Sequence, residues 1–184
     1  MDGIDAALVR FGDHRLDILA TKQFAYPEAL RRDLLTKRND AELRLAGDVP
    51  SLHEQVGTCF RDAALDLLEQ SGRVADEIEA IGSHGQTLRH APDASPPYSL
   101  QIGDADIIAK GTGIRTVADF RRADLELGGQ GAPLAPAFHE WLFRQAGQTR
   151  VVLNIGGIAN ITVLQGDGRA TIGFDTGPGN TLMD

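Results

Sequence analysis

Asp175-Thr176-Gly177-Pro178-Gly179-Asn180 places one carboxylate, two glycines and an amide directly after an apolar run that ends at Phe174. A carboxylate at the end of a sheet can take a proton from a water or hydroxyl held within hydrogen-bond reach; the same residue type also caps the amides of its own loop in an Asx-turn. Ser83-His84-Gly85-Gln86-Thr87 is a dense polar loop after another apolar run, suited to bonding the hydroxyls of a polar ligand. It is no serine-hydrolase elbow, because Gly82 directly precedes Ser83 and G-x-S-x-G is absent. His84 is there either a ligand contact or an ordinary hydrogen-bonding loop residue. Asp119-Phe120-Arg121-Arg122 closes a third run, where Arg121 either neutralises a carboxylate or phosphate or joins Arg122 in a solvated charge run. Glycine-bearing tips at Gly12-Asp13 and Gly156-Gly157 let backbone N–H groups approach an anion, such as a polyphosphate, or are plain β-turns.

Other chemistries lack their residues. There is no G-x-x-x-x-G-K-[ST] phosphate loop, no G-x-G-x-x-G fingerprint and no complete H-E-x-x-H, although His53-Glu54 and His139-Glu140 begin like one. Cys59 is the single cysteine, so neither an internal disulfide nor a dedicated zinc site is expected, and a reducing, cytoplasmic location is. The 184 residues carry 26 Asp and Glu against 18 Lys and Arg, a net charge of −8 that argues against a nucleic-acid backbone as partner. No apolar run approaches the roughly 20 residues of a membrane span.

These groups need a frame. Ile4 to Phe11 and Leu16 to Phe24 read as strands about the Gly12-Asp13 turn, and Pro27 suits the first position of a helix that carries Leu30, Leu34 and Leu35 on one face. Ser51-x-x-Glu54 predicts a capping box for a longer helix with Leu52, Val56, Phe60, Ala63 and Leu67 at helical spacing, ended by Gly72. A short strand is expected over 78–82, the polar loop over 83–87, a Pro-rich connection through Pro92, Pro96 and Pro97, and a strand at Tyr98 to Ile102. A helix over 104–110, a strand over 114–120, a loop over 128–131 and an apolar helix over 136–145 follow, with Trp141, like Met183 further on, read as core. Three apolar runs, 151–155, 158–164 and 170–174, predict a meander with turns at Gly156-Gly157 and Gly166-Asp167-Gly168. Strands interleaved with helices indicate an α/β or mixed sheet. A helix is expected to follow and cover one face of the meander, so the second unit reads as unfinished at Asp184.

The two β-rich ends repeat. Setting Asp2 to Ile18 against Gly156 to Ile172 matches Gly3 with Gly157, Ile4 with Ile158, Val9 with Val163, Gly12 with Gly166, Asp13 with Asp167, Arg15 with Arg169 and Ile18 with Ile172. The alternatives are chance among hairpins of similar composition and a duplicated domain whose hairpins face each other.

The segments Met1-Asp2-Gly3-Ile4-Asp5-Ala6, Gly82 to Thr87, Gln101-Ile102-Gly103-Asp104, Val117 to Arg121, Gly128-Gly129-Gln130-Gly131-Ala132-Pro133, Asn154 to Thr162 and Gly173 to Asn180 span the whole chain. Together they resemble the anhydro-N-acetylmuramic acid kinases of the sugar kinase, heat-shock chaperone and actin superfamily. The resemblance implies an α/β fold: an actin-like ATPase (ribonuclease H-like) domain over 1–148, and the first three strands of a second, duplicated domain over 149–184. It implies an enzyme that uses ATP, Mg²⁺ and water to open 1,6-anhydro-N-acetylmuramic acid to the 6-phosphate in cell-wall recycling. Asp175 matches the catalytic base. Asp2, Gly3 and Asp5 match the end of the first phosphate motif, G-T-S-x-D-G-x-D, while Gly156, Gly157 and Asn160 fall in the second phosphate hairpin. Sugar contacts are implied for His84, Gln86, Thr87, Arg121, Gly177 and Asn180, and the family suggests a homodimer. The chain departs from the pattern at both ends, lacking the Gly-Thr-Ser before Met1 and the second half that supplies the adenosine pocket. Little or no turnover by this chain alone is therefore expected, well below about 1 s⁻¹, and so is poor solubility from uncovered strand surface. The alternative is a sugar-binding remnant without catalysis.

Overall fold

A computed structural model describes residues 3–38 and 40–180, with nine strands and five α-helices among them. Contacts divide the chain into two units, residues 1–10 with 17–129 and residues 11–16 with 130–184. Both are mixed α/β.

In the first unit, β1 (Ile4–Gly12) and β2 (Arg15–Phe24) form the expected hairpin, whose tip groups with the second unit. Helix α1 (Glu28–Lys37) follows, with Pro27 as its cap rather than its first residue. Leu30 and Leu34 on its inner face join Ile4, Tyr26 and Val56 in the core. Helix α2 (Pro50–Ser71) ends on Gly72 at φ 64°, the left-handed position expected of a glycine there. Its start differs from the expected capping box. Pro50 takes a first-turn position, where its fixed φ suits a helix, so Ser51 falls inside the helix and its Oγ accepts from Gln55 Nε2 at 3.0 Å.

The strand expected over 78–82 shrinks to β3 (Ile81–Gly82), since the Glu77 carboxylate accepts from the Val74 amide and closes a turn just before it. The polar loop is also shorter than expected. Gly85, at φ 76°, turns the chain so that β4 (Gln86–Ala91) pairs antiparallel with β5 (Tyr98–Ile102), placing Gln86 and Thr87 on a strand. Helix α3 (Ala105–Thr112) is capped by Asp104, whose Oδ1 accepts from the Asp106 amide at 2.8 Å. The strand expected over 114–120 contracts to β6 (Thr116–Val117), because Asp119 turns left-handed at φ 58° and α4 (Arg122–Glu126) begins soon after. β3 and β6 pair in parallel, Ile81 with Thr116 and Gly82 with Val117.

The second unit contains α5 (Ala135–Phe143) and the meander β7 (Arg150–Ile155), β8 (Ile158–Leu164) and β9 (Ile172–Pro178), antiparallel throughout in the order β7-β8-β9. β9 runs four residues beyond the expected Phe174, so Asp175 lies in the strand and not in a loop after it. Helix α5 groups with the meander, and Trp141 packs beside Phe11 and Phe138 at ring separations of 5.7 and 6.0 Å. Met183 lies outside the described residues. Among the described residues no helix is long and apolar enough to cross a membrane.

Candidate functional site

Parallel pairing brings the carboxyl ends of β3 and β6 side by side, the edge at which open α/β sheets commonly receive ligands. The Ser83 amide extends the pairing by donating to Val117 O at 2.8 Å. The two loops that follow then meet through side chains. Arg121 donates to His84 Nε2 from Nε at 3.2 Å and from Nη2 at 2.9 Å, across 37 residues of sequence. His84 Nδ1 lies 3.0 Å from Gly85 O. A carbonyl only accepts, so Nδ1 carries the proton and Nε2 is the bare acceptor: the ring is neutral. Arg121 is half-buried, and that burial pulls its guanidinium below its ordinary value while leaving it a cation. Asp119 pairs with Arg122 instead, and Arg121 forms no ion pair among the described residues. Ser83 is buried, and its Oγ has no hydrogen-bond partner among the described residues.

Gln86 and Thr87 point their polar atoms into the protein's own network. Gln86 Oε1 accepts from the buried Tyr26 hydroxyl at 3.2 Å, and Thr87 Oγ1 accepts from Gln101 Nε2 at 3.2 Å. Asp5, on β1, accepts from Gln23 Nε2 at 3.1 Å, and a Cβ on Gly3 would stand 2.6 Å from Phe24 O, so that position admits no side chain. Asp2 lies outside the described residues.

In the meander, Asn154 stands opposite Asn160, and Asn160 opposite Asp175. Directly opposed residues share a face, so the three form one polar row across β7, β8 and β9. The row beside it, Val152, Thr162 and Gly173, lies under α5: His139 Nδ1 is 2.9 Å from Thr162 Oγ1, and a Cβ on Gly173 would stand 2.3 Å from Pro136 Cγ. The polar row therefore continues a covered face toward the Gly156-Gly157 turn. Thr176 is an extra residue in β9 between the Asn160–Asp175 and Ala159–Gly177 pairs, a bulge held by its Oγ1 donating to Ala159 O at 3.1 Å. Gly179 and Asn180 donate their amides to Gly157 O and Gly156 O at 2.8 and 2.9 Å, which ties the end of β9 to that turn. Asp175 is exposed and forms no ion pair among the described residues.

The structure thus joins His84 with Arg121, and Asn160, Asp175, Gly177 and Asn180 with the Gly156-Gly157 turn. Two participants were given no role by the sequence: Asn154 and Tyr26. Asn154 could have been found, since Asn154 and Asn160 stand symmetrically about the turn, whereas Tyr26 carries no local signal.

The family model described as "Anhydro-N-acetylmuramic acid kinase" matches residues 1–184. The anhydro-N-acetylmuramic acid kinase of Coxiella burnetii (strain Dugway 5J108-111) is 52% identical over 188 aligned residues, covering 100% of this chain and 49% of that protein. Those of Vibrio parahaemolyticus and Vibrio cholerae are each 50% identical over 184 residues, with 100% and 49% covered. The chain spans about half the length of these curated relatives. A match along its entire length shows that the chain belongs to the anhydro-N-acetylmuramic acid kinase family.

Proposed function

We propose that this chain is the amino-terminal part of an ATP-dependent kinase that converts 1,6-anhydro-N-acetylmuramic acid and water to N-acetylmuramic acid 6-phosphate, with Asp175 as general base. Family membership along the chain supports the reaction. The observation that carries the role of Asp175 is its place in the row with Asn154 and Asn160, exposed and beside the Gly156-Gly157 turn. Asp175 takes a proton from water as the oxygen attacks the anomeric carbon; the bond from that carbon to O6 breaks, and O6 takes the γ-phosphoryl group as the bond from its phosphorus to the β,γ-bridging oxygen breaks and ADP leaves. Bound Mg²⁺-ATP supplies the phosphoryl group and the metal offsets its charge. The second hairpin fits such a group, since a Cβ on Gly156 would meet nothing nearer than 3.8 Å; the exposed carboxylate of Asp5 is assigned to phosphate binding by the family motif alone. Gly3, Gly157 and Asn160 belong to the same phosphate-binding reading.

We infer two actin-like domains, the first over 1–148 and the second beginning at 149. The hairpin repeat supports it: His14 and Gly168 occupy matching positions and both are left-handed, at φ 48° and 86°. By the same offset β1 matches β8 and β2 matches β9. Homodimerisation and a cytoplasmic location follow from the family reading alone.

The test is turnover in a chain extended to the relatives' full length, with Asp175→Asn beside it. Loss of about 10²-fold or more in kcat with the sugar still bound is expected; an unchanged kcat removes Asp175 from the reaction. The 184-residue chain itself is expected to turn over far more slowly than about 1 s⁻¹. Sugar binding by that chain without nucleotide binding would favour the sugar-binding remnant, a reading that draws on the complete His84–Arg121 pair within the first unit.

A further inference from the structure

Arg121 is a half-buried cation whose side-chain hydrogen bonds, among the described residues, go to a neutral ring. The nearby acid, Asp119, is engaged by Arg122. His84 Nε2 occupies the guanidinium edge made by Nε and Nη2. The end-on edge, Nη1 with the second Nη2 proton, retains two parallel donors, the fork that a carboxylate accepts bidentately. Because Gly85 O holds the Nδ1 proton, His84 cannot turn its donor toward Arg121 without losing that bond. The loop carbonyl therefore fixes the tautomer, the tautomer fixes the acceptor, and the acceptor fixes the plane of the guanidinium.

We propose that His84 is a positioning residue: as a neutral Nδ1–H imidazole it aims the free edge of Arg121 at a carboxylate of the ligand, and it does not itself touch that ligand. Only the identity of the ligand, an acidic sugar, rests on the kinase reading above. His84 is thereby moved from a sugar contact to a support for one. An acid sugar and its neutral ester should then be distinguished through Arg121 alone.

Two measurements on the 184-residue protein test this. With ¹⁵N-labelled histidine, NMR at neutral pH should show the His84 ring protonated at Nδ1 and bare at Nε2, and still so in Arg121→Ala, where Gly85 O keeps the Nδ1 proton. A ring protonated at Nε2 in the unsubstituted protein overturns the proposal whatever the protein binds. Titration with anhydro-N-acetylmuramic acid and its methyl ester should show the acid preferred by on the order of tenfold. His84→Ala should abolish that preference, and His84→Gln, whose Oε1 can accept in place of Nε2, should restore it. Neither substitution should matter in the Arg121→Ala background; an effect of His84→Ala that persists there would mean direct ligand contact and overturn the proposal. If the protein binds neither sugar, the acidic-sugar reading fails, while the tautomer still decides the role of His84.

Discussion

Tyr26 shows how a single buried side chain couples the first core to the candidate site. Its phenol is pushed above its ordinary value, first by burial and second by Cys59, and its hydroxyl donates to Gln86 Oε1 at 3.2 Å. A folded-state value above the unfolded one means that the native protein holds the proton more tightly. This contribution is complete below the unfolded phenol's value of about 10 and declines as pH rises beyond it. Tyr26→Phe is expected to cost about 1 kcal/mol at neutral pH by losing one hydrogen bond. It should also flatten the alkaline loss of stability above about pH 10. Urea unfolding of both proteins across that range checks the two effects separately.

Elements meet closely where glycine leaves room. A Cβ on Gly57 of α2 would stand 2.7 Å from the Asp104 amide nitrogen and 2.8 Å from its carbonyl oxygen, so the helix could not keep its seat on the corner between β5 and α3. That corner is held by Asp104 N donating to His53 O and Gly103 N donating to His53 Nδ1, each at 3.1 Å. Gly57→Ala is expected to destabilise the protein by about 1–3 kcal/mol through overpacking, read as a lowered thermal midpoint. In the second unit, Gly173→Ala would drive a Cβ into Pro136 and lift α5 from the meander. The His139–Thr162 contact should break, and Trp141 fluorescence should shift toward that of a solvated indole; an unchanged spectrum would mean that α5 accommodates the methyl group. Hairpin and meander strands were legible from their period of two and their glycine turns. The short parallel pair was not, since two residues per strand carry no periodicity.

Considered whole, the chain exposes one sheet face. Leu153, Ile161 and Phe174 form one apolar row and Val151, Val163 and Ile172 the next, on the side of the meander opposite the polar row. Leu153 is 58% exposed and Phe174 46%. A contiguous apolar sheet face in water invites association. The 184-residue protein is expected to bind an apolar fluorescent dye and to associate as its concentration rises. Leu153→Lys with Phe174→Lys should suppress both, and a concentrated monomer that binds no dye would contradict this. The sequence reading anticipated the exposed surface from the meander, though not which face would carry it, because that depends on where α5 lies.

Local physics made much of this protein readable in one dimension. Apolar period, glycine turns and the repeat specified both hairpins, the meander and the long helices, since each depends on residues within about twenty positions of one another. The motifs around His84, Arg121, Gly156 and Asp175 specified the family. What the tertiary structure decided is which of those groups meet. His84 and Arg121 are joined because β3 and β6 pair in parallel across an intervening hairpin and helix. A non-local pairing of that kind depends on how the chain between packs, not on either strand's own residues. The neutral tautomer of His84 depends in turn on a carbonyl and a guanidinium held at fixed distances. The pairing of Gly177 and Pro178 with Ala159 and Ile158, just beyond Asp175, likewise required the extra residue Thr176, a one-residue change of register that no periodicity records.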